Sequence, residues 1–134
     1  MKDNLTLYIG KAIEASRNAY VPYSNYSVGV YLVTKDGIGY TGCNVENASY
    51  PATICGERTA LVKAISEGAR DFEGIVIATP NGGSPCGVCR QMLFEFSPEM
   101  AVITVNFDGD IVLDTTLDKL LVAGFGPQSL PPPE

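Results

Sequence analysis

The sequence predicts an α/β fold, a three-layer α/β/α sandwich built on a mixed five-stranded sheet. Three observations predict it. Short runs rich in β-formers alternate with segments of helical periodicity, so the sheet is covered on both faces. One of those runs, Ile75 to Thr79, is uniformly apolar, as a strand buried on both sides should be. No internal repeat and no linker divides the chain, so all 134 residues read as one domain.

From Asn4 to Tyr20 the apolar residues Leu5, Tyr8, Ile9, Ala12, Ile13 and Ala15 recur at three-to-four spacing, which predicts an amphipathic helix ended by Pro22. Tyr26 to Thr34 and Gly39 to Asn44 flank Lys35-Asp36-Gly37 and predict an antiparallel hairpin. A second helix is expected from about Ile54 to Glu67, stopped by Gly68. After the strand at Ile75, the turn Pro80-Asn81-Gly82-Gly83 leads into Ser84 as a helix N-cap and Pro85 as a first helical residue, with the helix ending near Phe96. Ala101 to Phe107 and Ile111 to Leu113 are the remaining strands, joined through Asp108-Gly109. A short helix, Thr116 to Val122, and a Pro-rich tail follow.

A domain of this length buries roughly 68% of its unfolded surface, so its four cysteines are not needed as staples. No stretch approaches the ~18 apolar residues of a spanning helix, and Met1-Lys2-Asp3-Asn4 opens no signal peptide. A soluble, cytoplasmic protein is therefore expected, and in a reducing compartment paired cysteines bind metal or do redox chemistry. Nine basic against fifteen acidic residues give a net charge of -6, with no two basic residues adjacent. That balance argues against a polynucleotide partner, which would be held through its phosphates. The chain has no histidine. This excludes Ser-His and Cys-His nucleophilic pairs and every His-containing zinc site, and leaves proton transfer to a carboxylate, a thiol or an activated water.

Chemistry concentrates at Cys55-Gly56-Glu57 and Pro85-Cys86-Gly87-Val88-Cys89. Cys86 and Cys89 are three apart and share a helical face, while Cys55 reaches toward them from the first turn of the preceding helix. Both helix starts favour thiolate over thiol. Three thiolate ligands leave a fourth position on zinc open, as in a catalytic site, whereas a fourth cysteine would close it. Cys43, in a strand pattern, reads as a small apolar residue rather than that fourth ligand. Arg58, three residues after Cys55, is placed to donate to ligand sulfurs from behind and offset their negative charge. Taken alone, Pro-Cys-x-x-Cys fits a redox pair or half of a structural zinc knuckle equally well, and Glu57 alone could be a helix-start carboxylate.

The two segments match the zinc deaminase signature with Cys in place of its His. With Val21-Pro22-Tyr23-Ser24, the run Gly42 to Tyr50, Glu57-Arg58-Thr59-Ala60, Ser84 to Gln91 and Gly124-Phe125, the chain resembles the cytidine deaminases, in particular the small homotetrameric type. The resemblance implies that Cys55, Cys86 and Cys89 bind one zinc ion per subunit and that Glu57 shuttles protons in the hydrolytic deamination of cytidine and deoxycytidine. It implies that Asn44 and Glu46 hold the ribose hydroxyls and that the Gly56 backbone meets the pyrimidine edge. It further implies that Phe125, Ala48 and Tyr50 complete a neighbouring subunit's pocket. Another aminopyrimidine nucleoside, such as an antibiotic, is the alternative substrate. The family usually has Phe where Tyr26 stands and Ala where Gly56 stands. Tyr26 can still pack against a base, but its hydroxyl then needs a partner.

Overall fold

The computed structural model describes residues 1–132. Its strands are β1 (Gly29–Thr34), β2 (Gly39–Cys43), β3 (Phe72–Ala78), β4 (Ala101–Val105) and β5 (Ile111–Thr116), hydrogen-bonded in the order β2-β1-β3-β4-β5. The β3–β4 pair is parallel and the other three pairs are antiparallel, which is the mixed five-stranded sheet expected. The helices are α1 (Leu5–Ser16), α2 (Gly56–Ser66), α3 (Gly87–Phe94) and α4 (Leu117–Leu120).

Alternation along the central strands sorts their side chains into two cores. Val33, Val76, Ala78, Ile103 and Val105 pack with Tyr8 and Ala12 of α1 on one face. Val30, Leu32, Ile75, Ile77 and Val102 meet Ala60, Leu61 and Ala64 of α2, Leu93 of α3 and Leu117 of α4 on the other. The layers are therefore helix, sheet, helices. Two glycines set how closely they approach. A Cβ on Gly29 would lie 2.0 Å from the Ala12 carbonyl oxygen, and one on Gly42 would lie 2.5 Å from the Gly56 carbonyl oxygen. Any side chain at Gly42 would thus push the start of α2 off the sheet.

Several boundaries differ from the expected ones, each for a local reason. Helix α1 ends at Ser16 rather than Tyr20: Arg17, Asn18 and Ala19 donate in tight three-residue turns, and Tyr20 pairs with the 44–46 segment instead. Strand β1 begins at Gly29, three residues late, because the Asn44 side chain takes the place of a ladder. Its Oδ1 accepts from the Val28 amide at 3.0 Å and its Nδ2 donates to the Tyr26 carbonyl at 2.8 Å. Strand β3 starts three residues earlier than expected, at Phe72. Strand β5 runs on to Thr116 and shortens the last helix to α4. Helix α3 starts at Gly87, so neither Ser84 as N-cap nor Pro85 as first helical residue holds; Cys86 is the N-cap. A residue before proline avoids the helical region, and the Ser84 hydroxyl is taken by Arg90 at 3.1 Å.

Candidate metal centre and active-site cavity

Both cysteine-bearing helices begin in the same way. Cys55 caps α2 with φ -70° and ψ 152°, and Cys86 caps α3 with φ -69° and ψ 166°. Each is thus one position outside the first turn where the sequence suggested it. The carbonyl of each accepts the first helical hydrogen bond, from Thr59 and from Arg90, both at 3.0 Å. Neither uses its side chain to cap the helix, which leaves the sulfur free to point at the other helix start.

The three sulfurs converge. Cys55 Sγ lies 4.0 Å from Cys86 Sγ, Cys86 Sγ lies 3.5 Å from Cys89 Sγ, and all three fall within 4.8 Å of one another. Tetrahedral zinc with Zn–S bonds near 2.3 Å sets its sulfurs about 3.8 Å apart, so the donor set fits that ion in type and spacing. Cys43 is not in the cluster; it ends β2 half-buried opposite Gly29, and burial pushes its thiol up. The Cys55 thiol is brought down to about 5, first by the hydrogen bond from Cys89 and then by Arg58 and Cys86, against the opposing pull of burial. Cys89, the donor in that bond and wholly buried, moves up. Three thiolates this close repel one another, and a cation among them is what allows all three to ionise.

Arg58 stands behind the cluster. Its Nη2 lies 3.8 Å from Cys55 Sγ and 3.0 Å from the Thr53 carbonyl. Arg90 does a different job that the sequence did not reveal. Its Nε donates to the Pro85 carbonyl at 2.7 Å, Nη1 to the Leu120 carbonyl at 2.9 Å and Nη2 to Ser84 Oγ. The segment entering Cys86 is therefore clamped by one guanidinium. An arginine one turn past a cysteine at a helix start was the available signal.

A cavity of about 190 Å³ opens beside the sulfurs. Cys55, Gly56, Glu57 and Cys86 line one side, Tyr26, Val28 and Asn44 another, and Thr79, Gly83 and Ser84 a third. Glu57 is only 5% exposed, and burial raises its carboxyl pKa, with the charge on Cys55 adding to the rise. Glu46 lies in an adjoining recess with Tyr23, Ser24 and Tyr50, joined to the cavity through Thr53, which lines both. Its carboxylate accepts from the Tyr23 and Ser24 amides at 3.0 and 3.1 Å and from the Ser24 hydroxyl. The Ser24 hydroxyl bond leads in holding its pKa below the ordinary value. Ala48, Tyr50 and Phe125 do not line this cavity. All three are exposed, Tyr50 at 69% and Phe125 at 57%, and the Phe125 carbonyl is held by Gln91 Nε2 at 2.8 Å. The Tyr26 hydroxyl has found its partner in Asn81 Oδ1.

Residues 2–105 match the family described as the cytidine and deoxycytidylate deaminase zinc-binding region. The chain belongs to that family. It is 44% identical to a cytidine deaminase of Sporosarcina psychrophila over 125 residues, 91% of each chain. A crystal structure of the cytidine deaminase of Burkholderia pseudomallei superposes with a TM-score of 0.86 at 42% identity, covering 90% of this chain and 98% of that one. A blasticidin-S deaminase of Bacillus cereus is more distant, 29% identical over 73% of this chain and 76% of its own. As a member of the deaminase family, the chain is a zinc-dependent hydrolytic enzyme. No helix among the described residues is long and apolar enough to cross a membrane.

Proposed function

We propose that the chain acts as a single domain that hydrolyses cytidine and deoxycytidine at C4, breaking the bond to the exocyclic nitrogen, forming one to a water oxygen, and releasing uridine or deoxyuridine and ammonia. The observation that carries this reading is a buried carboxylate, Glu57, sharing one small cavity with Cys55 and Cys86, whose sulfurs converge with that of the buried Cys89. Cys55, Cys86 and Cys89 would hold the zinc. Bound there, zinc supplies a water acidified from 15.7 toward about 7. Glu57 would take one proton from the attacking water on a carboxylate oxygen and pass it to N3 of the base as the C4–O bond forms. It would then take the second proton from the oxygen now on C4 and pass it to the amine nitrogen, which leaves as ammonia while the C4 carbonyl forms. The burial of Glu57 suits the task, because a carboxylate shielded from bulk water passes its proton to the substrate rather than to solvent.

The rest of the cavity supports a nucleoside. Asn44 has one amide hydrogen and one lone-pair site left after its two bonds to the 26–28 backbone, enough for a ribose hydroxyl. Glu46 has accepting capacity to spare in the adjoining recess. The Gly56 backbone meets the pyrimidine edge and the Tyr26 ring packs on the base. Phe125, Ala48 and Tyr50 serve a neighbour's cavity in a homotetramer with shared sites; their exposure, and that of Val122 at 81%, supports this assembly. Free thiols of this kind suit the reducing cytoplasm.

A nucleoside antibiotic is the second reading, favoured by the likeness to blasticidin-S deaminase. Purified zinc-loaded protein incubated with cytidine, deoxycytidine, cytosine, CMP and blasticidin S, with ammonia followed, decides between them. Turnover of the two nucleosides is expected. Turnover of only cytosine or CMP overturns the reading, and turnover of only the antibiotic replaces it with the second. Sedimentation at assay concentration should give four times the chain mass.

A further inference from the structure

Tyr26 is tied to both sides of the cavity it lines. On one side its carbonyl accepts from Asn44 Nδ2 at 2.8 Å, and its amide donates to Ser24 Oγ at 3.0 Å, which in turn donates to Glu46. On the other side its hydroxyl donates to Asn81 Oδ1, on the loop that runs from β3 toward Cys86. That loop makes room for the hydroxyl, since a Cβ on Gly83 would sit 3.0 Å from it. The loop is also shaped to present Asn81. Gly83 donates its amide to Thr79 Oγ1 at 2.9 Å, and the buried Thr104 hydroxyl donates to the Gly82 carbonyl at 2.8 Å. Gly82 turns the chain there at φ +74°, a conformation that other residues rarely adopt. A phenylalanine at position 26 could fill the same wall but could not make this link.

We propose that Asn81 is a positioning residue for the substrate base: through the Tyr26 hydroxyl it fixes the aromatic wall of the cavity and joins the Asn44/Glu46 side to the loop entering the metal centre. This rests on reading the cavity as a pyrimidine nucleoside site. A ring held in place before the ligand arrives loses less freedom on binding, so the link acts on binding more than on the chemical step. A contact that acts on ground state and transition state alike appears in KM and leaves kcat alone.

The test compares wild type with Tyr26→Phe, Asn81→Ala, the double variant and Asn81→Asp. Each of the first two should raise KM for cytidine about fivefold, the range of one neutral hydrogen bond, with kcat and zinc content unchanged. The double variant should be no worse than Asn81→Ala alone, because both changes remove the same link and Asn81→Ala also releases the Thr79 hydroxyl, 3.4 Å from Asn81 Oδ1. Asn81→Asp keeps an acceptor and should restore KM to near wild type. An unchanged KM in Tyr26→Phe, additive effects in the double variant, or lost zinc in Asn81→Ala would each overturn the proposal. Should the wild type fail to deaminate cytidine, the functional reading falls while the link stays testable. Non-additive thermal shifts in the same cycle would then support it, and additive ones would defeat it.

Discussion

The starts of α2 and α3 share a design and divide the labour. Each opens on a cysteine in extended conformation, followed by a glycine, and each carries an arginine within one turn. From there they diverge. The α2 start buries its glycine and its carboxylate, and its arginine reaches a sulfur. The α3 start exposes Gly87 and Val88, adds a second sulfur, and spends its arginine on the loop behind it. On the proposed reading, one helix start serves proton transfer and the other serves grip, and the same local motif takes either role according to what is buried beside it.

Glu57 is the sharpest break between them. Glu57→Gln should keep zinc and nucleoside binding and lower kcat by about 10²- to 10⁴-fold, the usual contribution of a positioned general acid–base. Metal analysis beside single-turnover kinetics checks this, and near-wild-type turnover would remove Glu57 from the mechanism. The two arginines come next. Arg58→Ala should weaken zinc binding or turnover by about 10- to 100-fold, as loss of an outer partner of a ligand does. Arg90→Ala should instead cost about 1–2 kcal/mol of stability through its lost hydrogen bonds, with a smaller effect on zinc. Chelator competition and thermal unfolding separate them; equal effects on both readouts would erase the distinction.

The smallest effects belong to the glycines. Gly87→Ala meets nothing within 4 Å and should be neutral or stabilising by up to about 0.5–1 kcal/mol. Gly56→Ala meets Val28 Cγ1 at 3.1 Å and Val30 Cγ2 at 3.2 Å, so it should cost about 1 kcal/mol unless both valines shift. Denaturant midpoints of the two variants give the sign of each. A stabilising alanine at position 56 would mean that the β1 wall yields more easily than its packing implies.

Much of this was legible in the sequence because it depends on short-range pattern. The uniformly apolar run at Ile75 gave the central strand, and the spacing of Cys86 and Cys89 gave the shared grip. What escaped was set by side chains that replace backbone partners. Asn44 occupies the amide and carbonyl that a longer β1 would have used. Arg90 holds the Ser84 hydroxyl and the Pro85 carbonyl, and α3 starts two residues later than Ser-Pro suggests. The bond from Tyr26 to Asn81 spans 55 residues and has no local signature at all.

The sulfurs of Cys55 and Cys86 are separated by 31 residues, and β3 runs between them, seated between β1 and β4. No local turn can bring those two helix starts together. Cys86 and Cys89 are close in sequence, but Cys55 joins them only through the packing of α2 and α3 on the same face of the sheet. Tight metal capture therefore needs tertiary structure, and a timed metal-uptake signal should report the docking of both helices on the sheet rather than the formation of either one.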